Sequence, residues 1–84
     1  MGEGVAELAV AVHLGRGLER FATGLSGGTM RVPSGTRIRD IICQLGIPPG
    51  NVGVISRNGV LADKDDTLAD GDVLSLYPPI GGGS

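Results

Sequence analysis

Only one apolar stripe of helical spacing in this chain runs without an internal glycine or proline. Ile38, Ile41, Ile42 and Leu45 fall at i, i+3, i+4 and i+7, which places them on one face of an amphipathic helix. Thr36 is the expected N-cap, Gly46 the stop, and Pro48-Pro49-Gly50 confirms the stop. Arg37 and Arg39 then fall in the first turn, where the helix dipole disfavours positive charge. A single helix of this length covers one face of one sheet. The other apolar segments must therefore supply strands.

They have strand patterns. Leu8, Val10, Val12 and Leu14 alternate with Ala9, Ala11 and His13, so the first set points inward and the second outward. A connection with five glycines runs from Gly15 to Gly28. Within it Leu18, Phe21, Ala22 and Leu25 are spaced for a short helical turn that caps one end of the core. Thr29 to Pro33 reads as a second strand with Met30 and Val32 inward, in a hairpin with the first. Val52 to Arg57 is a third strand, and Asn58-Gly59 is a strong hairpin signal leading into Val60-Leu61. Asp63 to Asp70 is a loop anchored by Leu68, and Val73 to Tyr77 is the last strand. The order is β-β-α-β-β-β, with the last strand beside and parallel to the first. The fold class is α+β: a β-grasp, or ubiquitin-like, roll with a mixed four- to five-stranded sheet and one main helix on one face. Its bounds are residues 8–77, with a flexible N-terminus at 1–7 and a flexible tail at 78–84.

Composition limits function. The chain has 84 residues, enough for one modest core without staples. Phe21 and Tyr77 are its only aromatics, so stacking on nucleic-acid bases has little to work with. One cysteine, Cys43, excludes an internal disulfide and fits a reducing compartment. On the helix it lies opposite the apolar stripe, which predicts an exposed thiol. No apolar run approaches the length of a membrane span, and no basic n-region of a signal peptide is visible. A cytoplasmic protein is expected, with neither nucleic acid nor membrane as partner. Net charge is −2, divided as +2 over residues 1–57 and −4 over residues 58–84. The acidic half holds Asp63, Asp65, Asp66, Asp70 and Asp72, readable as turn formers or as a patch that steers a basic partner. These aspartates lack the EF-hand spacing. His13 is the only histidine, has no Cys nearby and reads as a strand surface residue, so no metal is expected. Gly15-Arg16-Gly17 lacks the third glycine of a dinucleotide fingerprint.

The C-terminus, Tyr77-Pro78-Pro79-Ile80-Gly81-Gly82-Gly83-Ser84, gives a packed domain little to bury. Two prolines stop the strand. Three glycines make a thin peptide, able to enter a cleft too narrow for side chains. The same composition also suits an ordinary linker or frayed end.

Four motifs in order resemble the MoaD/ThiS family of sulfur carriers, more closely its MoaD branch. They are Val32-Pro33-Ser34-Gly35-Thr36 before the helix, Arg57-Asn58-Gly59-Val60, Leu68-Ala69-Asp70-Gly71-Asp72-Val73, and Pro78-Pro79-Ile80 followed by Gly82-Gly83. The resemblance covers residues 8–83 and implies a carrier, not an enzyme. A ubiquitin-activating-type adenylyltransferase would spend ATP to adenylate the terminal glycine carboxylate, and a persulfide sulfur would then turn it into a thiocarboxylate. The acceptor enzyme would be a pterin-synthase large subunit or, in the thiazole branch, a thiazole synthase. The carrier itself would bind no cofactor and would dock through its exposed sheet face and its tail. Carried onto this chain, the reactive carboxylate belongs to Gly83, with Gly81 and Gly82 in the partner's channel. Ser84 departs from the pattern, because family members end at the second glycine of the pair. Either a peptidase removes Ser84, or Ser84 is foreign to the natural chain, or the chain does no chemistry at its end. In the last case it is a non-covalent β-grasp interaction module; a lysine-linked protein modifier is the remaining alternative.

Overall fold

The computed structural model describes residues 6–79. Its strands are β1 (Glu7–Leu14), β2 (Thr29–Pro33), β3 (Val54–Arg57), β4 (Val60–Leu61) and β5 (Val73–Tyr77), with one helix, α1 (Ile38–Gln44). Two 3₁₀ turns, Glu19–Gly24 and Pro49–Asn51, lie in the connections. The sheet order is β2-β1-β5-β3-β4. β1 is antiparallel to β2 and parallel to β5, and β5 is antiparallel to β3. The last strand thus inserts at the centre, beside the first, as the element order predicts. This is the β-grasp roll.

Strand alternation works as read. Leu8, Val10 and Val12 are buried while His13 is exposed. Val32, Leu74 and Leu76 extend the same face, and Ile38, Ile41, Ile42 and Leu45 of α1 pack onto it. Leu68 anchors the long loop, 4% exposed. The turn after β1 differs from the helical reading: Leu18 is buried and Phe21 and Leu25 are half-buried, but Ala22 is exposed. A 3₁₀ turn repeats every three residues, so Leu18 and Phe21 align and Ala22 rotates outward.

The start of α1 also departs from the sequence reading. Thr36 is not its N-cap; Arg37 is. The Thr36 hydroxyl donates to the Pro33 carbonyl (2.6 Å) and closes the preceding turn. The first helical amides find other acceptors: Ile38 N–H donates to Asp66 O (3.0 Å) and Arg39 N–H to Lys64 O (2.9 Å). Asp40 Oδ2 accepts from Arg37 N–H (2.9 Å). The loop after β4 therefore does the capping, through its backbone. This satisfies orphan donors that a helix N-terminus must place somewhere.

The helix end follows the sequence reading. Gly46 has φ +78°. Its N–H donates to Cys43 O (3.0 Å), and Ile47 N–H donates to Ile42 O (3.1 Å), the two bonds of a Schellman motif. Ile47 and Ile42 are both buried. A Cβ at Gly46 would meet nothing within 4 Å, so Gly46→Ala tests backbone strain alone. The expected result is a loss of about 1 kcal/mol in urea unfolding; an unchanged midpoint would refute the argument.

No helix among the described residues is long and apolar enough to cross a membrane.

Candidate functional site: the exit of the C-terminal tail

Gly81, Gly82, Gly83 and Ser84 lie outside the described residues. The structure does show how the chain reaches them. β5 is the central strand, so the tail leaves the middle of the sheet with a strand on each side. The last carbonyls of β5 are both held. Gly15 N–H, just past β1, donates to Leu76 O (2.8 Å), and Gly53 N–H, just before β3, donates to Tyr77 O (2.8 Å). Pro78 and Pro79 then follow, with no N–H to extend the ladder.

Gly15 and Gly53 are glycines because of contact. A Cβ on Gly53 would sit 2.3 Å from Pro79 Cα and 2.8 Å from Pro79 N. A Cβ on Gly15 would sit 2.7 Å from Tyr77 Cδ1 and 3.2 Å from Leu76 O. The two glycines form a slot around Leu76–Pro79. Sequence reasoning missed both: Gly15 reads as the start of a glycine-rich connection, Gly53 as a strand residue. Only the clue that an isolated glycine in a strand pattern marks a close backbone approach pointed to Gly53. Its N–H serves Tyr77, and pairing as strand starts at Val54, two residues later than the sequence suggests.

The sheet face away from α1 is open. The register puts Ala9, Ala11 and His13 of β1 on it with Val73, Ser75 and Tyr77 of β5, then Val54 and Ser56 of β3 and Leu61 of β4. Leu61, Val73 and Tyr77 are exposed there, Leu61 by 79%. Tyr77 puts this apolar surface directly at the tail exit.

A second set of residues fixes the approach to β5. The Asp72 carboxylate is buried. It accepts from Asn58 Nδ2 (2.9 Å) and from Ala69 N–H (2.8 Å), with Arg57 Nη1 at 3.8 Å. Burial pushes its pKa up, but the two hydrogen bonds and the Arg57 charge outweigh this and hold it below its ordinary value of 3.8. Asp63 and Asp66 accept from backbone amides two or three residues away, in keeping with the turn-former reading, whereas Asp70 Oδ1 accepts from Ala9 N–H of β1 (2.7 Å) and ties the loop to the sheet. Cys43 is exposed, as expected. Among the described residues no three His, Cys, Asp or Glu side chains group into a metal site.

The ThiS family profile matches residues 20–83, from the first 3₁₀ turn through the glycine tail. The chain belongs to the ThiS family. Family members are small carrier subunits, not catalysts. Solved structures agree on the fold. A Pyrococcus furiosus protein assigned as molybdopterin converting factor, subunit 1, is 25% identical with TM-score 0.63, covering 87% of this chain and 99% of its own. The Haloferax volcanii HVO 2177 protein is 19% identical with TM-score 0.67, covering 99% and 93%. Small archaeal modifier protein 1 of H. volcanii is 21% identical with TM-score 0.60, covering 87% and 99%. No curated protein matches this ThiS-family chain.

Proposed function

We propose that this chain carries sulfur as a thiocarboxylate on Gly83, formed after Ser84 is removed, and donates it for the dithiolene of molybdopterin or tungstopterin. The observation that carries this reading is the exit geometry. The central strand delivers the Pro-Pro-Ile-Gly-Gly-Gly segment from a slot of two glycines, beside an exposed apolar sheet face.

The chemistry needs a partner. A carboxylate is a poor electrophile until it bears a leaving group. An adenylyltransferase of the ubiquitin-activating type would couple the Gly83 carboxylate to the α-phosphate of ATP, releasing pyrophosphate. A persulfide would displace AMP to give an acyl disulfide, and a second thiol would cleave the S–S bond to leave the thiocarboxylate. That sulfur is anionic and strongly nucleophilic. The carrier supplies a backbone thin enough for both partners' channels and a rigid body to dock. ATP is used by the partner, and no cofactor resides on the carrier. A pterin-synthase large subunit would accept the sulfur, docking on the open sheet face. The 25% identity to the P. furiosus protein favours that branch; a thiazole synthase is the alternative acceptor.

The test is intact mass. A chain ending at Gly83, incubated with activating enzyme, ATP and a sulfur donor, is expected to gain about 16 Da as sulfur replaces oxygen, while the chain retaining Ser84 gains nothing. No gain for the Gly83 chain sinks the reading and leaves a non-covalent interaction module. Cellular lysines carrying the chain's own C-terminal segment in isopeptide linkage (residues 65–83 after tryptic cleavage at Lys64, the last basic residue) would instead indicate a protein modifier. Competition between the two synthases for the thiocarboxylate separates the branches.

A further inference from the structure

The α1 side of the sheet carries an apolar groove of about 520 Å³, within the size range of ligand clefts. Neither the tail slot nor the open face uses it. Ile42 and Ile47 form its base, because they line it while remaining buried. Half-buried Val52 and Ile55 line it from the β3 side. Its charged lining residues are Arg39 and Lys64, both positive.

The frame is fixed by backbone hydrogen bonds. The Schellman bonds hold Gly46 and Ile47 against the end of α1, and Arg39 N–H to Lys64 O (2.9 Å) ties both cationic residues to the same helix start. Arg39 also pairs with Asp65, which stands outside the groove. Such an exposed pair is weak, so opening it for an incoming carboxylate costs little. A purely hydrocarbon ligand would leave the two cations unused. A phosphate-like ligand would leave the apolar base unfilled. The chain's own tail beyond Pro79 offers one large apolar side chain, Ile80, and no Asp or Glu.

We infer that this groove docks a short segment of a partner protein in which two or three aliphatic side chains adjoin Asp or Glu. The aliphatic groups fill the base, and the carboxylates meet Arg39 and Lys64. The groove lies on the helix side, so this partner leaves the open sheet face and the tail exit free. The inference does not depend on the sulfur-carrier reading, whose mass test is indifferent to the groove.

The test uses the full ¹⁵N-labelled chain and two acetylated, amidated peptides, Asp-Glu-Leu-Ile-Leu-Asp-Glu and Lys-Lys-Leu-Ile-Leu-Lys-Lys. The acidic peptide is expected to shift the amides of Ile42, Cys43, Gly46, Ile47, Val52 and Ile55, and the basic peptide to leave them in place. The double variant Arg39→Glu/Lys64→Glu should bind the acidic peptide about fivefold more weakly or worse, with a native spectrum otherwise. Alkylating Cys43 with N-ethylmaleimide fills the groove without changing its charge and should also block binding. Any of four results overturns the proposal: equal binding of the two peptides, shifts confined to Ala9, Val73 and Tyr77, no groove shifts at about 1 mM peptide, or concentration-dependent groove shifts without peptide. The last would mean self-association.

Discussion

Asp72→Ala is expected to destabilise the domain by about 2–3 kcal/mol, read from urea unfolding. One carboxylate holds three parts of the chain together. Its Oδ1 accepts from Asn58 Nδ2 (2.9 Å) and its Oδ2 from Ala69 N–H (2.8 Å). Asn58 is committed elsewhere too: its Oδ1 accepts from Val73 N–H (2.9 Å), and its N–H donates to Val73 O (2.8 Å). It is the only non-glycine residue among those described with positive φ, +55°. Arg57 completes the set by donating to Thr67 O (2.6 Å). Removing the carboxylate leaves two donors without their acceptor, and the figure keeps to the low side because water reaches the network's rim. Against a total stability of about 5–15 kcal/mol for a typical domain, this loss is large. Asp72→Asn should recover only part of it, since both oxygens accept and an amide nitrogen must oppose one donor. The exposed Asp65 is the control, with an expected effect under about 1 kcal/mol. A loss under about 1 kcal/mol for Asp72→Ala would refute the network's role.

The same carboxylate sets an acid dependence. Its folded pKa lies below the ordinary value of 3.8, so the folded state binds its proton less readily than the unfolded state. The stabilisation is fully present above the unfolded value and is lost as pH falls through the folded one. Wild-type stability should therefore fall below about pH 4, and Asp72→Asn should flatten that part of the curve. An identical acid slope in the variant would mean that other carboxylates carry it.

Gly53→Val is expected to leave a folded domain but slow activation of the tail by about 100-fold, the scale of loss when a reacting group is displaced by about an ångström. The 2.3 Å approach to Pro79 Cα is to backbone, so no rotamer change relieves it. The chain must shift where it leaves the sheet, and the Gly53 N–H to Tyr77 O bond (2.8 Å) lies in the path. Hydrogen exchange reads the structural effect apart from any enzyme: the Gly53 amide should lose protection while Val10 and Leu74 in the core keep theirs. Retained protection at Gly53 would show that the slot tolerates a side chain. Lost protection with an unchanged activation rate would separate the slot from function.

The element order was legible because it rests on short-range periodicity. Leu8 to Leu14 alternates every second residue, and Ile38 to Leu45 repeats with the helix. Each pattern reports which face is buried without needing a partner strand. Asn58-Gly59 and Gly46 were readable as turn and helix stop for the same local reason. The single helix then put the last strand beside and parallel to the first, while the pairing of β3 on the other side of β5 came only with the structure.

Contacts between distant segments were not legible. Thr36 looks like a cap by residue type, yet the amides of α1 bond to Lys64 and Asp66 carbonyls supplied by a loop far along the chain. Any residue carries a carbonyl, so no side-chain pattern announces this. Asp72 reads as one of five turn aspartates, and nothing local separates it from Asp65. Burial beside Asn58 and Arg57 does so only once β5 has paired with β3. Gly15 and Gly53 are far apart in sequence and unremarkable in composition. They become a slot when the parallel β1–β5 and antiparallel β3–β5 pairings bring both against the same few residues of the departing tail. Local chemistry determined which segments become strand, helix and turn, since side-chain spacing acts within a few residues. Tertiary structure alone decided where the tail leaves and what holds it there, since those forces act between backbones that meet only after the sheet closes.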